Sequence, residues 1–89
     1  MSQETLQDRL ARQPAKVECP ICRHRQWLSA PRGRCDQCGS EIALFEDRAE
    51  AARALDAFVA AGRLAYLADA EGGLFAVIAN RAFGQRGSP

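Results

Sequence analysis

Apolar positions change their period along the chain. Between Ser2 and Arg12 only Leu6 and Leu10 interrupt a polar run, at the i, i+4 spacing that puts two side chains on one helix face. Ser2 is a candidate N-cap and Pro14 a stop, so residues 1–15 read as a short helix or a flexible segment. Residues 16–45 carry short strand-like runs instead. Val17 precedes a first cysteine pair, Gln26-Trp27-Leu28-Ser29 reads as a strand, and Ala30-Pro31-Arg32-Gly33 as a turn. Arg34 leads into a second cysteine pair, and Ile42-Ala43-Leu44-Phe45 forms a last apolar strand. Helical periodicity then returns. Ala51, Ala52, Leu55, Phe58 and Val59 make an apolar stripe over residues 47–61. Asp47 and Glu50 open that helix as a D-x-x-E capping box, and Gly62 closes it. Leu64–Ala68 and Leu74–Ile78 then flank Asp69-Ala70-Glu71-Gly72-Gly73, a hairpin signal. Residues 81–89 read as a flexible polar tail. The fold class expected is α+β, with Leu55, Phe58 and Val59 packing against Leu64, Tyr66, Phe75, Val77 or Ile78.

One helix on one hairpin leaves apolar surface uncovered. Either the Ile42–Phe45 strand extends the sheet, or a partner covers the rest. Strand addition by another chain suits an open hairpin edge. Leu6, Leu10, Tyr66 and Phe75 are therefore candidate partner-binding residues, with self-association included.

With 89 residues the chain can bury only a modest core, and small domains of this size often need a metal, disulfides or a partner. Net charge is +1, but it is unevenly placed. Lys16, Arg23, Arg25, Arg32 and Arg34 crowd the first half with Glu18 as the only acid among them. Acids dominate from Glu41 to Glu71. No apolar run is long enough to span a bilayer, and the start MSQETLQDRLARQ lacks the hydrophobic middle of a signal peptide. The expectation is a cytoplasmic protein with no membrane partner, in a compartment where paired cysteines signal metal binding more often than disulfides.

The chain's four cysteines fall in the pattern C-x2-C-x12-C-x2-C: Cys19 and Cys22, then Cys35 and Cys38. Two residues between cysteines let a tight turn aim both sulfurs at one point, and two such turns joined by a hairpin can surround one ion tetrahedrally. One structural zinc is the expected occupant; iron bound by the same four thiolates is the alternative. A thioredoxin-like redox pair needs a single C-x-x-C at a helix start within a βαβ unit, which this pattern does not supply. Four cysteines close the coordination shell, and a lone histidine, His24, provides no triad. His24 is read as a surface residue. The expected protein is not an enzyme, though it can serve as a noncatalytic subunit of one.

In CPIC and CDQCG the chain resembles the zinc-ribbon superfamily, over about a third of its length, residues 16–45. The resemblance implies a three-stranded ribbon with zinc at one end. A glycine usually follows the second cysteine of each knuckle; Gly39 fits, whereas Arg23 occupies that place in the first. Residues 46–80 also resemble the last helix and wing of a winged-helix domain, but exposed Asp47, Glu50 and Asp56 would repel a phosphate backbone there. Function then divides two ways. The favoured reading is a noncatalytic adaptor or accessory subunit that binds a protein partner. The alternative is a nucleic-acid-binding ribbon using Lys16, Arg23, Arg25, Trp27, Arg32 and Arg34. In the first case the basic cluster only offsets the charge of a zinc–tetrathiolate centre and Trp27 is a core strut; in the second, Trp27 stacks on a base.

Overall fold

The computed structural model describes residues 4–80; the proposed Ser2 cap and the 81–89 tail lie outside them. The order of elements is α1 (Leu6–Arg12), β1 (Ala15–Glu18), β2 (Arg25–Leu28), β3 (Arg32–Arg34), β4 (Glu41–Phe45), α2 (Arg48–Ala60), β5 (Ala65–Ala70) and β6 (Leu74–Ala79). The fold is α+β, with two antiparallel sheets. β1 and β2 form a hairpin, and a four-stranded sheet has the order β3-β4-β6-β5. No helix among the described residues is long and apolar enough to cross a membrane.

The Ile42–Phe45 strand does extend the sheet, since Ile42 pairs with Ile78 and Leu44 with Ala76. That pairing makes β6 an interior strand covered on both faces. Leu74, Ala76 and Ile78 join Ile42 and Leu44 in a core with Leu10, Val17 and Leu28. Val77 and Ala79 are buried on the opposite face, where α2 lies and where Ala43 and Ala51 are also buried. The molecule is thus three layers: α2, the four-stranded sheet, and α1 with the β1–β2 hairpin. The β5–β6 hairpin is built into the sheet and is not a projecting wing.

The expected three-stranded ribbon is not what forms. β2 and β3 belong to different sheets, and the expected Ala30–Gly33 turn is shifted to Ser29–Pro31, since Arg32 and Gly33 lie in β3. A single side chain bridges the gap. The Gln26 amide donates to the Arg34 carbonyl at 2.9 Å and accepts from the Asp36 N–H at 2.9 Å, standing in for two ladder bonds. Leu28 closes over Gly33, where any Cβ would stand 2.9 Å from its Cδ2.

Helix α1 starts at Leu6, where Thr5 and Asp8 form a reciprocal capping box. Seven residues make a helix too short to persist alone. Leu10 is fully buried and Leu6 packs on the same core. This corrects the assignment of that leucine stripe to a partner: it docks on its own chain. Phe75 is half-buried beside α2. In α2 the Asp47 side chain accepts from Ala49 N–H at 3.2 Å, while the returning Glu50 arm is absent. Val59 is mostly exposed. At about 100° per residue it lies some 80° around the helix from Ala51, at the edge of the stripe. Leu64 and Tyr66 are exposed as well, and Ile78 faces away from α2, so of the expected contacts Val77 and Phe75 share the helix face.

Arg63 ties the end of α2 to the sheet. Its guanidinium donates to the Asn80 carbonyl at 3.0 and 2.6 Å and to Glu41 at 2.7 Å, and stands 4.8 Å from the Phe58 ring centre. The side chain is only 17% exposed, so these bonds are poorly replaced by water. Arg63→Ala should lower unfolding free energy by about 2–3 kcal/mol, the range for breaking charged hydrogen bonds at a part-buried site. Arg63→Lys should lose less. Denaturant titration of metal-loaded protein measures both.

Candidate metal centre

The two C-x-x-C turns fold to one pattern. Arg23 N–H donates to Cys19 C=O at 2.7 Å and Cys19 N–H to His24 C=O at 2.8 Å. Gly39 N–H donates to Cys35 C=O at 2.9 Å and Cys35 N–H to Ser40 C=O at 2.8 Å, with the same offsets. Closing such a turn needs a left-handed residue after the second cysteine, and both have one: Gly39 at φ 77° and Arg23 at φ 67°. Arg23 therefore adopts the glycine conformation and leaves the first knuckle as tightly closed as the second. The cost of that backbone is about 1–2 kcal/mol for a residue with a Cβ.

β1 and β3 carry the knuckles to the same place over Ile42 and Ile78. Cys19 and Cys35 are buried in the core cluster, with Cys22 and Cys38 half-buried at its rim. The four sulfurs lie within 4.8 Å of one another. Cys19 Sγ is 3.7 Å from Cys38 Sγ, and Cys22 Sγ is 3.5 Å from Cys35 Sγ. A regular tetrahedron of sulfurs about 2.3 Å from a central ion has edges of about 3.8 Å. A disulfide needs about 2.0 Å, and all four cysteines are free. The donor set, spacing and shape fit a single thiophilic metal ion. The His24 ring is not part of this cluster.

The ionisation of the metal-free thiols is uneven. Burial pushes the Cys19 thiol up, against hydrogen bonds from the backbone of Cys22 and Ile21. At Cys22 a backbone bond from His24 pulls down, but burial and the neighbouring thiols outweigh it and push the group up to about 12. Cys38 is pushed down to about 6, chiefly by the Ser40 hydroxyl 3.0 Å from its sulfur. Ser40 is the buried polar side chain of the described core. Sequence reasoning passed over it, although a hydroxyl directly after the C-x-x-C-G turn was the available signal.

The basic residues do not form one strip. Register puts Lys16 opposite Trp27 and Glu18 opposite Arg25, all on the outer face of the β1–β2 hairpin. Arg25 and Arg23 both pair with Glu18, at 3.3 and 3.8 Å, and not with a sulfur. Arg32 and Arg34 sit opposite Ala43 and Glu41, on the sheet face that carries α2. Trp27 is no core strut, being 59% exposed with the Lys16 ammonium 5.5 Å from its ring centre. Comparison with protein-family models, with curated proteins and with solved structures finds no match for this chain.

Two outcomes test this geometry. Ser40→Ala should weaken Zn2+ binding about tenfold, the lower end for a group that hydrogen-bonds a ligand, read by competition with a chromophoric chelator. Arg23→Gly should raise the stability of the loaded protein by up to about 1 kcal/mol by releasing left-handed strain, less the extra chain entropy of glycine.

Proposed function

We propose that this chain is a noncatalytic zinc-ribbon adaptor, in which a structural Zn2+ held by Cys19, Cys22, Cys35 and Cys38 fixes the fold and the β5 edge recruits a protein strand. Zinc is favoured by an all-thiolate tetrahedral donor set closed to a fifth ligand. A closed shell offers no position for substrate or water, which supports a role in binding and not in catalysis.

The observation that carries the adaptor reading is the contrast between the two sheet edges. β3 is three residues long and flanked by Arg32 and Arg34, the charged, short kind of edge that resists pairing. β5 is six residues, Ala-Tyr-Leu-Ala-Asp-Ala, with no Lys, Arg or Pro. Tyr66 and the adjoining Leu64 are 43% and 58% exposed. Next to this edge, Glu18, Pro20, Arg23, Ala68 and Asp69 line an open groove of about 300 Å³ between the first knuckle and β5. β1 lies against the far end of this edge, where Glu71 N–H donates to the Lys16 carbonyl at 3.3 Å. A partner strand would therefore gain backbone bonds along the first part of β5, beside Leu64 and Tyr66, and a seat for side chains in the groove.

The test is a differential capture from cell extract with zinc-loaded wild type and the double variant Leu64→Lys, Tyr66→Lys. Lysines on an edge block pairing, and both positions are exposed, so zinc content and circular dichroism should not change. The reading requires specific proteins held by wild type and lost from the double variant. Identical captures by both would contradict it.

A further inference from the structure

The geometry points to a second binding surface: the outer face of the β1–β2 hairpin, where Trp27, Lys16, Arg25 and Arg23 are arranged to hold a short stretch of single-stranded nucleic acid. This goes beyond the adaptor reading and does not depend on the β5 edge.

An indole is among the largest apolar groups a protein can bury, yet the only tryptophan in the chain is 59% exposed. Exposure alone would suit a protein hot spot as well as a base. The neighbours decide. The outward positions of the hairpin are Lys16, Glu18, Arg25 and Trp27, so no second apolar side chain of the two strands accompanies the ring there. A protein contact patch would surround an aromatic anchor with apolar or neutral groups. Here the ring is bordered by cations.

Those cations are held in place. The Lys16 ammonium stands over the indole, 5.5 Å from its centre. Glu18 draws Arg25 and Arg23 to one side, at 3.3 and 3.8 Å, and neutralises only one of the three positive charges. On the outward positions of the two strands and the first knuckle, three cations thus accompany one carboxylate around an exposed aromatic surface. Glu71, bonded to the Lys16 backbone at 3.4 Å, and Asp69, beside Arg23 in the groove, stand at the hairpin's edge. Phosphates flanking a stacked base match that arrangement, because stacking needs a free π-face and no sequence-specific partner. A duplex hides its base faces, so the surface discriminates for unpaired strands. Arg32 and Arg34 lie on the opposite side of the molecule by register and take no part.

Trp27 is its own reporter. Zinc-loaded protein, checked for metal content, is titrated with oligothymidylate while indole fluorescence is followed. Heparin, a polyanion without bases, and polyglutamate, an acidic polypeptide, serve as comparisons. Oligothymidylate should quench the emission, and heparin and polyglutamate should not. Three phosphate contacts on a single strand predict a slope of about −2 for the logarithm of the association constant against the logarithm of salt concentration. By anisotropy of a labelled strand, Trp27→Ala should bind at least about tenfold more weakly, Trp27→Phe should retain much of the affinity, and Arg25→Glu should lose it. Arg32→Glu should match wild type to within about twofold, as its side chain faces elsewhere. No quenching at low salt would overturn the proposal. So would equal quenching by heparin or polyglutamate, or a Trp27→Ala variant that binds like wild type. A negative result with folded, metal-loaded protein would leave the β5 reading untouched.

Discussion

Four sulfurs held within 4.8 Å of one another set the terms for this fold. As thiolates, two charges 3.5–3.7 Å apart repel by about 4–5 kcal/mol at an effective dielectric of 20. The pocket must therefore hold protons or a cation. The protons are held unevenly, since the Ser40 hydroxyl pushes Cys38 down to about 6 while burial and the neighbouring thiols push Cys22 up to about 12. A divalent ion relieves the remaining repulsion and displaces the other protons, which couples metal affinity to folding. The coupling is direct because Cys19 and Cys35 belong to the same buried cluster as Ile42 and Ile78.

What the sulfurs join is otherwise weakly connected. The β1–β2 hairpin is a two-stranded sheet with no ladder to β3, and such a hairpin is marginal alone. Gln26 supplies two hydrogen bonds across the gap, and Leu28 over Gly33 supplies packing. α1 covers the other end of that layer through Leu10, and Arg9 donates to the Gly72 carbonyl in the β5–β6 turn. The metal centre and α1 thus clamp the hairpin layer at its two ends, and the four-stranded sheet is the base on which both rest. Trp27 and the basic face keep a fixed position only while the hairpin is clamped, which links the metal to any ligand on that face.

Much of this was legible in the sequence where local chemistry is self-sufficient. Asp47 and Gly62 bracket α2, the glycine pair after Glu71 marks the β5–β6 turn, and cysteine spacing alone gathers the four ligands. The rest depends on contacts without a local signature. The short apolar run of β6 reads as a hairpin arm; only pairing with β4 makes it an interior strand. Gln26 and Arg63 act through bonds to distant backbone, and no periodicity announces them, whereas Ser40 acts on Cys38 two residues away and is marked only by its place after the C-x-x-C-G turn. The basic residues looked like one strip because they are close in sequence. Register separates them, since β1–β2 and β3 expose opposite sides of the molecule. Residue type favours the core for Trp27, but the alternation Lys16–Val17–Glu18 opposite Arg25–Gln26–Trp27 puts it outward.

The central claim is that one metal ion bound by four cysteines holds the chain folded. Native mass spectrometry of protein purified without added metal, repeated after chelation alongside amide hydrogen exchange, tests it most directly. The account predicts one zinc per chain, and on its removal a collapse of protection in the hairpin layer and in β4. A chain that carries no metal yet keeps full protection at Val17, Leu28 and Ile42 would contradict it.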